Sequence, residues 1–292
     1  MSKIVLIVGP TATGKTKASI EVAHELNAQI INADSTQLYK EPVITTAKIK
    51  ESEKEGIIHH LMDYVSLNDD YTIFDYQKDG RRILDKLISE NKNVVIVGGS
   101  GLYIKALLYN YNLEETKIKK IDLSHYSNEE LKEYADKIDI NNNIHVNNRQ
   151  RLERFITFYE SSGKVIKNKD EINQKVYDFI SIGLDAKRSE LYKRIDDRVE
   201  EMMKDGMLEE AKRLYKLHLK NYSNIIGFRE LELYFKNEIS LDKALELIKR
   251  NTRRYAKRQY TWFKNQMKDI NWVHVDYNNF ENTLNEIRRI IN

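Results

Sequence analysis

The octapeptide GPTATGKT at residues 9–16 follows KIVLIV at residues 3–8, a lysine and a five-residue apolar run, and precedes a stretch with helical periodicity from Lys15 to about Leu26. The pattern G-x-x-x-x-G-K-[ST] thus stands in the context that gives it meaning, a strand, a loop and then a helix. Small residues let successive backbone N–H groups converge on one phosphate chain, and the helix N-terminus adds its dipole. Gly9, Pro10, Thr11, Ala12, Thr13, Gly14, Lys15 and Thr16 are therefore expected to cradle a phosphate or diphosphate. Lys15 would neutralise charge between phosphates, and Thr16 would offer its hydroxyl to Mg²⁺.

The rest of the chain agrees with that start. Residues 29–32 (QIIN) and 94–97 (VVIV, ended by Gly98 and Gly99) read as further strands, the second followed by a helix-like segment from Leu102 to Tyr109. Strands alternating with helices of this length indicate βαβ units. The expected fold class is α/β, a P-loop NTPase-like parallel sheet flanked by helices. From about residue 110 to 175 the pattern changes to Lys-, Asn-, Asp- and Glu-rich sequence with helical periodicity, which reads as a small helical insertion. Residues 179–184 (FISIGL) return to strand character, helical patterns dominate from Arg188, the longest of them over residues 241–267, and residues 272–275 suggest a last edge strand. The expected division is a catalytic core of residues 1–112 and 175–292, with residues 113–174 inserted.

Composition excludes several classes. A charged fraction of 32% with 18 tyrosines and 8 phenylalanines is too aromatic for a disordered chain and too polar for a membrane protein. The absence of cysteine removes disulfides, thiolate metal sites and thiol nucleophiles, which fits a reducing compartment. The N-terminal apolar run is much shorter than a signal peptide or a membrane span requires. The chain is expected in the cytoplasm, as a monomer, without a membrane partner. Its net charge of +3 is unevenly placed, and the tract from Lys249 to Lys264 holds seven Lys/Arg and no acid. A polyanion partner would meet the later part of the chain.

A phosphoryl-transferring P-loop enzyme needs a second acid at the end of a later apolar strand. The strand at residues 94–97 ends in Gly98, Gly99, Ser100 and Gly101, with no carboxylate. The acid that does follow a strand is Asp34. From spacing alone it reads either as a helix cap or outer-sphere Mg²⁺ ligand, or as a base beside the phosphates. Arg194 and Arg198, four apart, share one helix face, where the plain reading is a solvated surface beside Asp196, Asp197 and Glu200. His59 and His60 are adjacent in sequence and have no third ligand at a usable spacing, so they read as packing or hydrogen-bonding residues in a loop.

GPTATGKT, INADSTQLYK, HHLMD at residues 59–63 and VGGSGLYIKALL at residues 97–108 together resemble the successive signatures of the tRNA dimethylallyltransferases, also called tRNA isopentenyltransferases. The resemblance continues through RQRLERF (149–155), RIDDRVEEMMKDGMLEEAKRL (194–214), IIGFRE (225–230) and TRRYAKRQYTWFK (252–264), so it covers nearly the whole chain in order. It implies transfer of a dimethylallyl group from dimethylallyl diphosphate to the exocyclic amine of the adenosine just 3′ of the anticodon in tRNA, with Mg²⁺ as cofactor. The loop at residues 9–16 would then hold a departing diphosphate, and the missing acid is accounted for.

The same resemblance implies roles for individual residues. Asp34 would be the general base, with Thr11, Lys15, Ser100 and Arg198 at the reacting diphosphate. Ser35, Thr36 and Gln37 would join Asp34 and Ser100 in an adenine pocket. The usual residue at Ser100 in that family is threonine, so the hydroxyl is retained. Gln150, Arg151, Leu152, Glu153 and Arg154, together with Asn224, Ile225, Ile226, Gly227, Phe228 and Arg229, match segments that touch tRNA, and Gly227 would let backbone approach the nucleic acid. Arg250, Arg254 and Arg258 recur every four residues, a phosphate-tracking stripe beside a base-modifying site. The target adenosine must turn out of its stack to reach Asp34. Other readings that share the P-loop are an isopentenyltransferase acting on free adenine nucleotides, a small-molecule kinase and a non-catalytic RNA-binding module.

Overall fold

The computed structural model describes residues 2–111, 121–165 and 174–292. Six strands form one sheet: β1 (Ile4–Val8), β2 (Ala28–Asn32), β3 (His59–His60), β4 (Asn93–Gly98), β5 (Ile180–Asp185) and β6 (Asn271–His274). Their order is β3-β2-β4-β1-β5-β6, and every pairing is parallel. The β1 run is apolar throughout because both its faces are covered: Ile4, Leu6 and Val8 enter one core, and Val5 and Ile7 the other. The first core lies under α2 (Ile73–Ser89), α3 (Gly101–Leu108) and the end of α9 (Leu241–Gln266); the second lies under α1 (Lys15–Leu26) and α10 (Phe280–Ile291).

His59 and His60 form a two-residue edge strand, where a loop was expected. They pair with Ile30 and Ile31 of β2. Two residues carry no periodicity, so only the neighbouring strand reveals the register. His60 Nε2 meets Gln29 Oε1 at 2.7 Å, His59 Nδ1 meets the Ile57 carbonyl at 2.9 Å, and burial lowers the pKa of both rings.

A third core gathers α6 (Arg188–Lys204), α7 (Met207–Tyr215), α8 (Phe228–Phe235) and the first half of α9 around Leu214, Phe228, Leu231 and Ile248. The 26-residue α9 starts at Ser240, whose hydroxyl caps the Lys243 N–H at 3.2 Å. The chain separates into two compact units, Met1–Tyr109 with Lys175–Asn292, and Asn110–Gln174. The expected junction at residues 112 and 113 lies outside the described residues. The smaller unit holds α4 (Asn128–Ile138) and α5 (Arg149–Ser162), packed through Leu131, Ala135, Leu152, Phe155 and Ile156. Among the described residues, no helix is long and apolar enough to cross a membrane.

Candidate active site

In a parallel sheet the C-terminal strand ends gather the loops, and a crevice opens where neighbouring connections diverge. Here β1, β2 and β4 deliver the phosphate loop, Asp34 and Ser100 to that edge. Gly14, at φ 87°, turns the chain into α1 in a conformation that costs glycine nothing. The buried Thr13 hydroxyl donates to the Pro10 carbonyl at 2.8 Å, and Lys15 Nζ donates to the same oxygen at 2.6 Å. Two groups from distant sequence brace the loop. Gln259 Oε1 accepts from the Thr11 N–H at 2.9 Å, and the Tyr277 hydroxyl donates to the carbonyl of Ala12, a left-handed residue at φ 65°, at 3.1 Å. Thr16 is exposed at the first turn of α1.

The β2 and β4 ends are stitched together through backbone. The Ala33 N–H donates to the Val97 carbonyl at 2.7 Å, and the Ser100 N–H donates to the Ala33 carbonyl at 3.2 Å. Ser100 Oγ accepts from the Ser35 N–H at 3.0 Å and donates to Ser35 Oγ at 3.1 Å. Turns follow Asp34, not a helix, which removes the helix-cap reading. Asp34 Oδ1 accepts from the Thr36 N–H at 3.0 Å and from the Thr36 hydroxyl at 2.7 Å, which fixes the carboxylate plane. Its other oxygen accepts no hydrogen bond from the described residues. The Gln37 amide donates to the Thr46 carbonyl at 3.2 Å.

Charge is concentrated here without being neutralised by pairing. Burial brings the Lys15 ammonium down to about 8, with the nearby Asp34 charge opposing that shift and Arg198 adding to it. Burial also lowers Arg198, against Glu201 and Asp34, with Arg194 adding to the fall. Lys15, Asp34 and Arg198 therefore share one electrostatic neighbourhood, yet none of the three closes an ion pair among the described residues. Arg194, on the same helix, is exposed and lies over the Tyr277 ring at 4.4 Å. Sequence reasoning missed Gln259, Tyr277 and the tyrosines that feel the Asp34 charge, Tyr76, Tyr103 and Tyr255. Burial raises Tyr255 and Tyr103, the latter to about 12, and the Asp34 charge adds to both.

The residues matched to tRNA contacts divide by exposure. In the larger unit Asn224 and Arg229 are exposed and Ile226 is half-buried, while Ile225 and Phe228 belong to the core, Phe228 stacked on Tyr222 at 4.7 Å. Gly227 is buried at φ 106°, and a Cβ there would stand 2.6 Å from Met207 Cε and from Thr45 Cγ2. A side chain at this position would be crowded by both groups and strained at that φ, which accounts for the glycine. Arg229 pairs with the buried Glu230 at 2.8 Å. In the smaller unit Gln150, Arg151 and Arg154 are exposed on α5, Leu152 is fully buried, and Glu153 is paired with Arg149 at 2.7 Å. Along α9, Arg250, Arg254 and Arg258 are exposed and unpaired by any described carboxylate, whereas the neighbouring Lys249 and Arg253 bind Glu200 and Asp196 of α6.

Among the described residues, no group of three or more His, Asp or Glu side chains gathers where it could hold a metal. The donor set of Thr16 alone suits a hard cation held mainly by phosphate oxygens and water, as Mg²⁺ commonly is.

A family model described as IPP transferase matches residues 37–266. A tRNA dimethylallyltransferase of Anoxybacillus flavithermus is 40% identical over 299 aligned residues, covering 99% of this chain and 96% of that protein. One from Fusobacterium nucleatum is 42% identical over 284, covering 94% and 93%. The crystal structure of a tRNA isopentenylpyrophosphate transferase from Staphylococcus epidermidis superposes with a TM-score of 0.75 at 36% identity, covering 99% of this chain and 98% of that one. A eukaryotic dimethylallyltransferase acting on tRNA superposes with a TM-score of 0.81 at 26% identity, covering 99% of this chain and 78% of that one. Their α/β fold is the fold described above, and this chain belongs to the IPP transferase family.

Proposed function

We propose that this chain transfers a dimethylallyl group from dimethylallyl diphosphate to the N6 amine of the adenosine 3′ of the anticodon in tRNA, releasing diphosphate. The reading is carried by the preformed glycine-rich loop with Asp34 and Ser100 beside it at the C-terminal strand ends, and is supported by Lys15, Asp34 and Arg198 acting on one another's charge with none of them in an ion pair among the described residues. The β4 end supplies Gly99 and Ser100 where a phosphoryl-transferring enzyme keeps an acid, and the relatives bear the name of prenyl transfer to tRNA.

In the transfer, the bond from the allylic carbon to the diphosphate oxygen breaks and its electron pair leaves with the diphosphate. The loop amides, Lys15 and Arg198 offset the charge that grows there, with the Thr11 and Ser100 hydroxyls close by. The adenine amine is a poor nucleophile because its lone pair is delocalised into the ring. Asp34, held by Thr36 with one oxygen free, accepts its proton as the new carbon–nitrogen bond forms. Mg²⁺, when bound, adds charge neutralisation on the diphosphate, and Thr16 is the side chain that would hold it.

Arg250, Arg254 and Arg258 would track phosphates of the tRNA, while Arg229 and, in the smaller unit, Gln150, Arg151 and Arg154 would meet the anticodon stem-loop around an adenosine turned out of its stack. The protein would act as a monomer in the cytoplasm. Labelled dimethylallyl diphosphate offered to an anticodon stem-loop and free AMP at equal concentration tests the acceptor. The label is expected in the stem-loop adenosine; label in AMP would make this a free-nucleotide isopentenyltransferase.

A further inference from the structure

Gln259 is buried on α9, and its amide is committed at both ends. Oε1 accepts from the Thr11 N–H at 2.9 Å, and Nε2 donates to the Gly99 carbonyl at 3.0 Å. One side chain thus ties the loop after β1 to the loop after β4. A Cβ at Gly99 would lie 2.0 Å from Gln259 Nε2, and Gly99 is not among the positive-φ glycines. Its missing side chain therefore serves the approach of this amide. The linkage runs on: Ser100 follows Gly99 and is hydrogen-bonded to Ser35, and Ser35 follows Asp34.

The chemistry of the junction selects an amide. It must present an acceptor to an N–H and a donor to a carbonyl at the same time, which neither a carboxylate nor an aliphatic side chain does. Tyr255, one turn earlier on α9, lies close enough to Gln259 and Ser100 for both to oppose the burial-driven rise of its pKa. The Thr11 N–H is already engaged by Gln259 and contributes position to the cradle.

We propose that Gln259 is a positioning residue of the transfer reaction, fixing the separation between the loop that receives the leaving diphosphate and the segment that carries Asp34. The inference rests on the prenyl transfer proposed above. Displacement at carbon needs the amine, the carbon and the departing oxygen aligned, and small misplacements of such groups cost about a hundred-fold in rate. Gln259 touches no reacting atom, so its loss should appear in the transfer step and not in tRNA binding.

Gln259→Met keeps the length of the side chain and removes both hydrogen bonds. Gly99→Ala attacks the same link from the other side. Thermal unfolding, the KM of each substrate and single-turnover transfer rates are compared with wild type. The folded Gln259→Met variant is expected to retain the KM for tRNA within about twofold and to lose roughly a hundred-fold in transfer rate. Gly99→Ala is expected to show the same split, and the double variant to be no slower than the slower single one, because both remove one link. A role in stability alone would lower the amount of folded protein and leave the rate per folded molecule unchanged, which would overturn the inference. If Gln259→Met does not fold, Gly99→Ala carries the test, and a wild-type transfer rate in it has the same meaning. An inactive wild type would overturn the proposed function and this inference with it; an active wild type beside an equally active folded variant would overturn the inference alone.

Discussion

The Lys15 ammonium donates to the Pro10 carbonyl at 2.6 Å, within the loop proposed above to hold the diphosphate. The contact parks a cation that burial and Arg198 have made reluctant to stay charged, with a pKa brought down to about 8. A diphosphate prefers the charged form and so raises that pKa on binding. Below about 8 the ammonium is charged in both states, and affinity does not change on its account. As pH rises through about 8, binding must take up a proton, and affinity falls by about tenfold per unit until the raised pKa of the complex is reached. Calorimetric titration with dimethylallyl diphosphate on both sides of pH 8 checks this; an affinity flat across the range would contradict it.

Asp34→Asn preserves the Oδ1 that accepts from Thr36, so the turn should persist. Only the capacity to take a proton is lost. The transfer rate is expected to fall by roughly two to four decades while tRNA affinity stays nearly intact, as for loss of a general base. Single-turnover kinetics and filter binding separate the two quantities. A near wild-type rate would demote Asp34 to a structural role.

Arg198 is half-buried and closes no ion pair among the described residues, as the proposed role at the diphosphate requires. Arg198→Ala and Lys15→Ala should each cost on the order of a few kcal/mol in the transition state, seen as lower transfer at saturating tRNA. If Arg198→Ala matched wild type at every prenyl diphosphate concentration, its helix face would be a solvated surface.

On α9 the exposed Arg250, Arg254 and Arg258 differ from Lys249 and Arg253, which already hold carboxylates of α6. Replacing any one of the three that touches phosphate should weaken tRNA binding for all sequences and lower the slope of log affinity against log salt by about one unit. Arg253→Ala should change that slope less. Titrations at several salt concentrations give the slopes, and unchanged values in all three variants would return the stripe to ordinary solvent-facing charge.

Local signals carried much of this structure. The glycine-rich loop, β1, β2 and β4 were legible because strand, loop and helix follow one another within a few residues, and α9 because its 3.6-residue period runs for 26 residues, whereas spacing left Asp34 open and only the family resemblance read it as a base. What remained hidden was long-range. Gln259 meets Thr11 across 248 positions and Tyr277 meets Ala12 across 265, and no local pattern marks a side chain whose partner is a distant backbone group. The surroundings of Gly227 were hidden for the same reason. Its glycine reads as openness in sequence, whereas Met207 and Thr45 fill the space beside it. Arg198 stood out in sequence only through the family resemblance, since its neighbours Asp196, Asp197 and Glu200 suggest a solvated face, and tertiary structure was needed to bring it near Lys15 and Asp34.

The most direct test of prenyl transfer is mass spectrometry of nucleosides from tRNA lacking the modification, after incubation with the purified protein, dimethylallyl diphosphate and Mg²⁺, with no nucleotide added. The account predicts adenosine beside the anticodon carrying one dimethylallyl group on N6, with an equal amount of diphosphate released. Unmodified tRNA under these conditions, together with transfer of phosphate to an acceptor when ATP is supplied, would contradict it and identify the P-loop as that of a kinase.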